Sequence, residues 1–122
     1  MIFFNLFRND PKILTVAAGD TLFKEGELGD FMYVLIAGSS EIRVRNLVLE
    51  EAGCGTIVGE MAVIDTSPRS ATVVAKTRCD FAVIDKKRFH FLVNETPMFA
   101  IEVMRVMARR LRQADQSLIG RG

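Results

Sequence analysis

The chain has 122 residues, of which 49% are hydrophobic and 25% are charged, and its formal net charge at pH 7 is +1. A chain of this length can bury a core without metals or disulfides, so we expect a single domain over residues 1–122. The nearly neutral charge gives no field that attracts nucleic acid, and the apolar runs are far shorter than the ~20 residues that span a bilayer.

The N-terminal residues Met1-Ile2-Phe3-Phe4 are apolar but have no basic leader and no cleavage site. We therefore expect no signal peptide and a cytoplasmic protein. Cys54 and Cys79 match no metal-ligand spacing. We favour buried free thiols in a reducing cytoplasm, although the sequence leaves a disulfide between them open.

From Leu14 to Ile84 the chain is typical of short strands separated by turns. Ile42 and Val44 alternate with charged residues, which is the period of a half-buried strand. Further short runs of β-branched or aromatic residues cover 47–49, 56–58, 72–75 and 81–84, and glycines at 19, 26, 29, 38, 53, 55 and 59 fall between the runs. Many short strands with regular turns predict a mainly β fold, either a sandwich or a small jelly-roll barrel.

The last third of the chain changes from a strand period to a helix period. Asp85 can cap a short helix over about 85–94, which buries Phe89 and Leu92. Thr96-Pro97 is typical of a helix start, and it predicts a long helix over about 97–118. One face of this helix is apolar and consists of Phe99, Val103, Met107, Leu111, Ala114 and Leu118.

A carboxylate and a guanidinium occur at a fixed separation in Gly59-Glu60-Met61-Ala62 and Pro68-Arg69-Ser70-Ala71-Thr72. A carboxylate accepts two hydroxyl protons, and a planar guanidinium binds phosphate oxygens in a fork. The backbone amides after Gly59 can line an anion-binding turn if residues 60–64 begin a short helix. The two segments therefore predict a site that holds a sugar and a phosphate together.

These segments resemble the phosphate-binding cassette of the cyclic nucleotide-binding domain family, which includes the cAMP receptor, the protein kinase A regulatory subunit and the cyclic nucleotide-gated channels. The similarity extends through the glycine-punctuated residues 18–38 and through Met107-Ala108-Arg109-Arg110-Leu111. It implies an antiparallel jelly-roll barrel over about 14–84, with a short N-terminal helical segment and two C-terminal helices.

The resemblance also implies which residues bind a ligand. Glu60 is expected to accept the ribose 2′-hydroxyl, Arg69 to neutralise the phosphate, and Ser70 to reach the base or the phosphate. The expected ligand-binding residues are Gly59, Glu60, Met61, Ala62, Arg69, Ser70 and Ala71, with Ile57 and Val58 as further candidates. In transcription-activator relatives, hydroxyl residues after the Met-Ala-Arg-Arg-Leu segment touch the adenine. Ala114 and Asp115 stand near that place, so this contact is altered or missing here.

The implied function is a non-enzymatic sensor of a cyclic nucleotide, with cAMP favoured and cGMP as the alternative. Its effector is an unknown protein or a second copy that pairs through the long helix, and no DNA-binding or membrane segment is expected. A barrel that binds other proteins but no nucleotide is the competing hypothesis. A metal-dependent barrel enzyme would need several histidines, and His90 is the only one.

Overall fold

Strands dominate the first two thirds of the chain and helices the last third, in a computed structural model that describes the backbone of residues 2–121 and the side chains of residues 2–114. The helices are α1 (Ile2–Phe7), α2 (Met61–Ile64), α3 (Lys86–Glu95) and α4 (Pro97–Arg121). The strands are β1 (Ile13–Val16), β2 (Thr21–Phe23), β3 (Phe31–Ala37), β4 (Ser40–Val44), β5 (Leu47–Ala52), β6 (Ile57–Val58), β7 (Thr72–Ala75) and β8 (Cys79–Asp85).

The strands form two antiparallel sheets of four, in the orders β1-β8-β3-β6 and β2-β7-β4-β5. Buried side chains from both sheets belong to one core cluster, for example Leu35 and Phe81 from the first sheet and Phe23 and Val73 from the second. The pairing confirms the predicted antiparallel β fold with an N-terminal helix. It is compatible with a jelly roll, although the strand pairs join into two sheets and not into one closed barrel.

The hairpin between β4 and β5 turns on two residues, Arg45 and Asn46, with φ values of 51° and 67°. A left-handed conformation at both central residues is the type I′ turn, whose twist matches that of the flanking strands. Val44 therefore pairs directly with Leu47, and the alternation predicted at Ile42 and Val44 lies on a strand as expected.

The chain divides into two compact units, residues 1–89 and residues 90–122, and α3 passes from the first into the second. The start of α3 is capped as predicted, because Oδ1 of Asp85 accepts a hydrogen bond from the backbone N–H of Arg88 at 2.7 Å. Both Cys54 and Cys79 are free thiols, as predicted. Cys79 is buried, but Cys54 is exposed, so the expected burial of both thiols is wrong for Cys54. None of the helices in the described residues is long and apolar enough to cross a membrane.

In the second unit, α4 begins at Pro97 as predicted. Phe99, Val103 and Val106 are buried, whereas Leu111 is 64% exposed. The predicted apolar face is therefore buried only along its first turns. The side chain of Leu118, which was assigned to the same face, lies outside the described residues.

Candidate functional site

The side chain of Arg69 is buried, with only 7% of its surface exposed. Its Nη1 donates hydrogen bonds to the carbonyl oxygens of Phe31 at 2.9 Å and of Gly59 at 3.3 Å. Its Nε is buried and has no hydrogen-bond partner in the described part of the chain. Because buried donors in native proteins nearly always have partners, an unpartnered nitrogen on a buried cation indicates a place for an anionic acceptor.

Two aromatic rings lie beneath the guanidinium. The Cζ atom of Arg69 is 4.2 Å from the ring centroid of Phe23 and 5.9 Å from that of Tyr33. Burial lowers the pKa of Arg69 from its ordinary value, while the nearby acidic groups act in the opposite direction. The guanidinium stays charged, since arginine does not deprotonate in proteins. The rings therefore hold a desolvated positive charge by cation–π attraction.

Two glycines leave the space that the guanidinium occupies. A Cβ atom at Gly29 would lie 2.4 Å from Nη2 of Arg69, and one at Gly59 would lie 2.5 Å from Nη1. Gly59 also has a φ of 75°, which favours glycine on conformational grounds. Gly29 has no such backbone requirement, so the approach of the guanidinium alone explains why a side chain cannot be placed there.

The backbone of Arg69 is fixed to the loop between β2 and β3. The N–H of Arg69 donates to the carbonyl oxygen of Glu27 at 2.8 Å, and the carbonyl oxygen of Arg69 accepts from the N–H of Gly26 at 2.8 Å. Three residues further on, Oγ1 of Thr72 accepts from the N–H of Glu25 at 2.9 Å. The loop thus holds the main chain of Arg69, while the side chain is held by the carbonyl oxygens of Phe31 and Gly59.

Glu60 lies at the start of α2 and is also buried, with 7% of its surface exposed. The positive φ of Gly59 turns the chain there, and Glu60 itself is already helical, with φ −61° and ψ −29°. The N–H groups of Ala62 and Val63 donate to the carbonyl oxygens of Gly59 and Glu60, each at 3.2 Å. Since Gly59 also accepts from Arg69, the predicted carboxylate and guanidinium belong to one local cluster.

The other predicted ligand-binding residues differ in their exposure to solvent. Ser70 is exposed, Met61 and Ala71 are half-buried, and Ala62 is 5% exposed. Ile57 and Val58 are almost fully buried in β6, which pairs with β3, so their contact with a ligand stays a prediction. Ala114 is exposed, and the side chain of Asp115 lies outside the described residues.

A cleft of about 280 Å³ lies beside α2 and is lined by Asp30, Ala62, Thr66, Asp85, Lys86 and Lys87. It shares Ala62 with the predicted ligand-binding residues but contains neither Arg69 nor Glu60. In the described residues there is also no group of three histidine, cysteine or acidic side chains that could hold a metal ion.

The sequence alone predicted no role for Phe23, Gly29 or Tyr33. The glycines of the β2–β3 loop were interpreted as turn residues. Gly26 in this loop has a positive φ of 87°, whereas Gly29 does not have a positive φ. The close approach of Arg69 to Gly29 is therefore visible only in the structure. The motif around Arg69 could therefore be found from the sequence, but not the residues that hold its side chain.

The two antiparallel sheets and the buried arginine define a β domain with a candidate site for a small anionic ligand. A family model described as the cyclic nucleotide-binding domain matches residues 13–96. The chain belongs to this family, as the resemblance in its sequence implied.

Relatives in the family are regulators and a channel. The chain is 30% identical over 105 residues to a CRP-like cAMP-activated global transcriptional regulator of Mycobacterium tuberculosis, covering 82% of this chain and 47% of that protein. It is 38% identical over 103 residues to a cyclic nucleotide-gated potassium channel of Mesorhizobium japonicum, covering 84% of this chain and 28% of the channel. The crystal structure of Thermus thermophilus catabolite activator protein superposes with a TM-score of 0.79 at 28% identity, covering 88% of this chain and 53% of that one. The chain thus spans about half the length of these regulators or less.

Proposed function

We propose that this chain is a non-enzymatic sensor module of the cytoplasm that binds a cyclic nucleotide, with cAMP as the favoured ligand. The observation that carries the proposal is the buried guanidinium of Arg69, whose Nε has no hydrogen-bond partner among the described residues and whose Nη1 donates only to two neutral backbone carbonyl oxygens. A phosphate oxygen supplies the charged acceptor that such a group favours.

The roles of the surrounding residues follow from their positions. Glu60, buried next to Gly59, accepts the ribose 2′-hydroxyl in this proposal, and the turn from Gly59 to Ala62 borders the phosphate. Ser70 is exposed beside the arginine and is available to the base or the phosphate. The preference for cAMP is supported by the name of the cAMP-activated relative, and cGMP remains the alternative ligand.

Thermal unfolding with cAMP, with cGMP and without ligand tests the proposal. A ligand present at ~100 times its dissociation constant adds about 2.7 kcal/mol to the free energy of unfolding. We expect a saturable rise in melting temperature with cAMP. If neither nucleotide raises the melting temperature at millimolar concentration, the sensor proposal is wrong and a protein-interaction domain becomes the better hypothesis.

Two variants make the assay specific for the site. Glu60→Gln keeps the size of the side chain but loses one charged acceptor, so we expect a loss of about 1–3 kcal/mol of binding free energy. Arg78→Met is the matched control, because the side chain of Arg78 is 72% exposed in a loose ion pair with Asp80. It should bind cAMP like the parent protein.

The proposed output is the long helix α4. An apolar stripe on α4 is exposed and consists of Ile101 at 37%, Met104 at 59% and Leu111 at 64%. Spacings of three and seven residues place these side chains on one face, as in a helix that pairs with another helix. We propose that this stripe binds a second copy or an effector protein. Light scattering measures the molar mass of the parent and of Met104→Glu, with and without cAMP. A dimer of the parent that is lost in Met104→Glu indicates a second copy, whereas a parent that stays monomeric indicates an effector protein.

A further inference from the structure

The second sheet ends at β5, which pairs with β4 on one side and has no strand on its other side in the described part of the chain. The first three residues of β5 are apolar and exposed: Leu47 at 60%, Val48 at 47% and Leu49 at 63%. Native edge strands are usually protected from other chains by charged residues or proline, and residues 47–49 contain neither. This segment is therefore an open edge at which another strand can be added.

The backbone of Val48 is directed toward this open side. Val44 and Leu47 flank the type I′ turn of the hairpin, and residues in these two positions exchange hydrogen bonds across it. Hydrogen-bonded and non-hydrogen-bonded pairs alternate along an antiparallel ladder, so the next pair, Val48 with Arg43, is non-hydrogen-bonded. The N–H and C=O groups of Val48 consequently point away from β4.

A β-bulge leaves Leu49 without a partner on β4. The register passes directly from the pair of Arg43 with Val48 to the pair of Ile42 with Glu50, so Leu49 is the extra residue of the bulge. It is also the most exposed of the three apolar residues. A second strand at the edge would remove this side chain from water, which is a favourable change.

A second copy of the same strand is complementary to this edge. Two antiparallel copies that are related by a twofold axis have one residue opposite itself. With Val48 on the axis, Leu47 of each copy lies opposite Leu49 of the other, so all three apolar residues meet apolar residues. With Leu49 on the axis, Leu47 would lie opposite Glu51, and with Leu47 on the axis, Val48 would lie opposite Asn46.

The charges at the ends of the paired segment favour the same register. With Val48 on the axis, Arg45 of each copy lies beside Glu51 of the other. Arg45 is exposed, no salt bridge among the described residues includes it, and its N–H donates to Oε1 of Glu25 at 3.2 Å, which fixes the turn. The side chain of Glu51 is 62% exposed in a surface pair with Lys76 at 3.3 Å, so it is accessible to a second cation.

We propose that β5 binds β5 of a second copy of this chain, antiparallel and with Val48 on the twofold axis, so that the second sheet continues from one copy into the other. This surface belongs to the unit of residues 1–89 and is distinct from the exposed stripe of α4. A contact of this length is smaller than the standard interface of about 1,600 Å². The dimer is therefore weak, with a dissociation constant between about 1 µM and 1 mM.

Sedimentation equilibrium of the ligand-free protein over about 1 µM to 1 mM tests the proposal. The molar mass of the parent should rise with concentration from that of one chain toward that of two. Val48→Lys and Val48→Glu should each associate about tenfold or more weakly, because two like charges would lie opposite each other at the axis. An equimolar mixture of the two variants should restore the dimer, since the axis then pairs opposite charges.

Two controls place the same kinds of charge elsewhere. Leu28→Lys lies in the β2–β3 loop, where Leu28 is 82% exposed, and Met104→Glu lies on the exposed stripe of α4. Both should associate like the parent protein. If the Val48 variants do not fold, a mixture of Leu49→Lys with Leu47→Glu applies the same test, because these two residues meet across the proposed contact.

A dimer that is lost in each Val48 variant and regained in their mixture supports the proposal. A parent protein that stays monomeric up to about 1 mM overturns it, and the edge is then available only to a strand of another protein. A dimer that Val48→Lys leaves unchanged, a dimer that Met104→Glu abolishes, or a mixture that stays monomeric also overturns it. None of these measurements includes a nucleotide, so the proposed dimer and the proposed function can fail independently.

Discussion

Replacing Arg69 with methionine should stabilise the free protein while abolishing nucleotide binding. The guanidinium is a buried charge, one of its nitrogens has no partner in the part of the chain that the structure describes, and burial lowers its pKa. Methionine is of similar length and apolar, so it can lie over Phe23 without this penalty. The buried charge that the proposed ligand requires is therefore expected to lower the stability of the ligand-free protein.

The magnitude follows from opposing contributions. Apolar replacement of buried charged groups is often neutral or stabilising by about 1–4 kcal/mol, and an unpartnered buried donor costs about 1–3 kcal/mol. The variant loses a cation–π contact of about 0.5–2 kcal/mol and the two hydrogen bonds from Nη1. We expect a net gain of about 1 kcal/mol, which raises the melting temperature of a domain of this size by about 4 °C.

Thermal unfolding of the parent, Arg69→Met and Arg78→Met, each with and without cAMP, measures this effect. The Arg78 control should unfold within about 0.5 kcal/mol of the parent, as surface substitutions usually do. If Arg69→Met unfolds at a lower temperature than the parent without ligand, the guanidinium stabilises the fold, and its burial is no sign of a binding site.

Three further predictions concern the site and the helix. Gly29→Ala should weaken cAMP binding about tenfold or more, because the added Cβ would displace Nη2 of Arg69. Calorimetry measures this loss, and Gly53→Ala is the control, because an added Cβ at Gly53 meets nothing within 4 Å. Ser70→Ala should weaken cGMP binding by about 0.5–1.5 kcal/mol more than cAMP binding, since only guanine offers an exocyclic amino group at its 2-position to a nearby hydroxyl; equal losses would restrict Ser70 to the phosphate. Nucleotide binding should change the hydrogen-exchange protection of residues 99–111 in α4 more than that of the sheets, because terminal helices open at a low free-energy cost. Protection gained only over residues 59–72 would contradict this prediction.

Local signals in the sequence predicted the elements well. The alternation around Ile42 lies on β4, the carboxylate of Asp85 caps α3, and α4 begins at Pro97. Each of these features depends on neighbours within a few residues. Periodicity was a poorer predictor of burial, because it identifies the residues on one face of a helix but not what packs against that face. Leu111 shares the spacing of Phe99 and Val103, yet it is exposed.

The sequence predicted the two charged groups of the candidate site, but not the residues that contact the side chain of Arg69. The spacing of Glu60 and Arg69 identified the two charged groups. The carbonyl oxygen of Phe31, which accepts from Arg69, is 38 residues away in the chain, and Phe23 and Gly29 are similarly distant. Nothing in the local sequence of Arg69 indicates these contacts, because they arise from the pairing of β2 with β7 and from the course of the loop that follows β2.

The hydrogen bonds between Arg69 and the loop of Gly26 and Glu27 have a consequence for folding kinetics. They join segments that are distant in sequence, so a partly folded species in which β7 is not paired with β2 lacks the candidate site around Arg69. Such contacts form late relative to local ones, since the intervening chain has to be closed first. A ligand that requires them stabilises the native state and leaves earlier species unaffected, so its main kinetic effect is on the rate of unfolding. Occupancy of the site would then lengthen the lifetime of the folded domain without accelerating its formation.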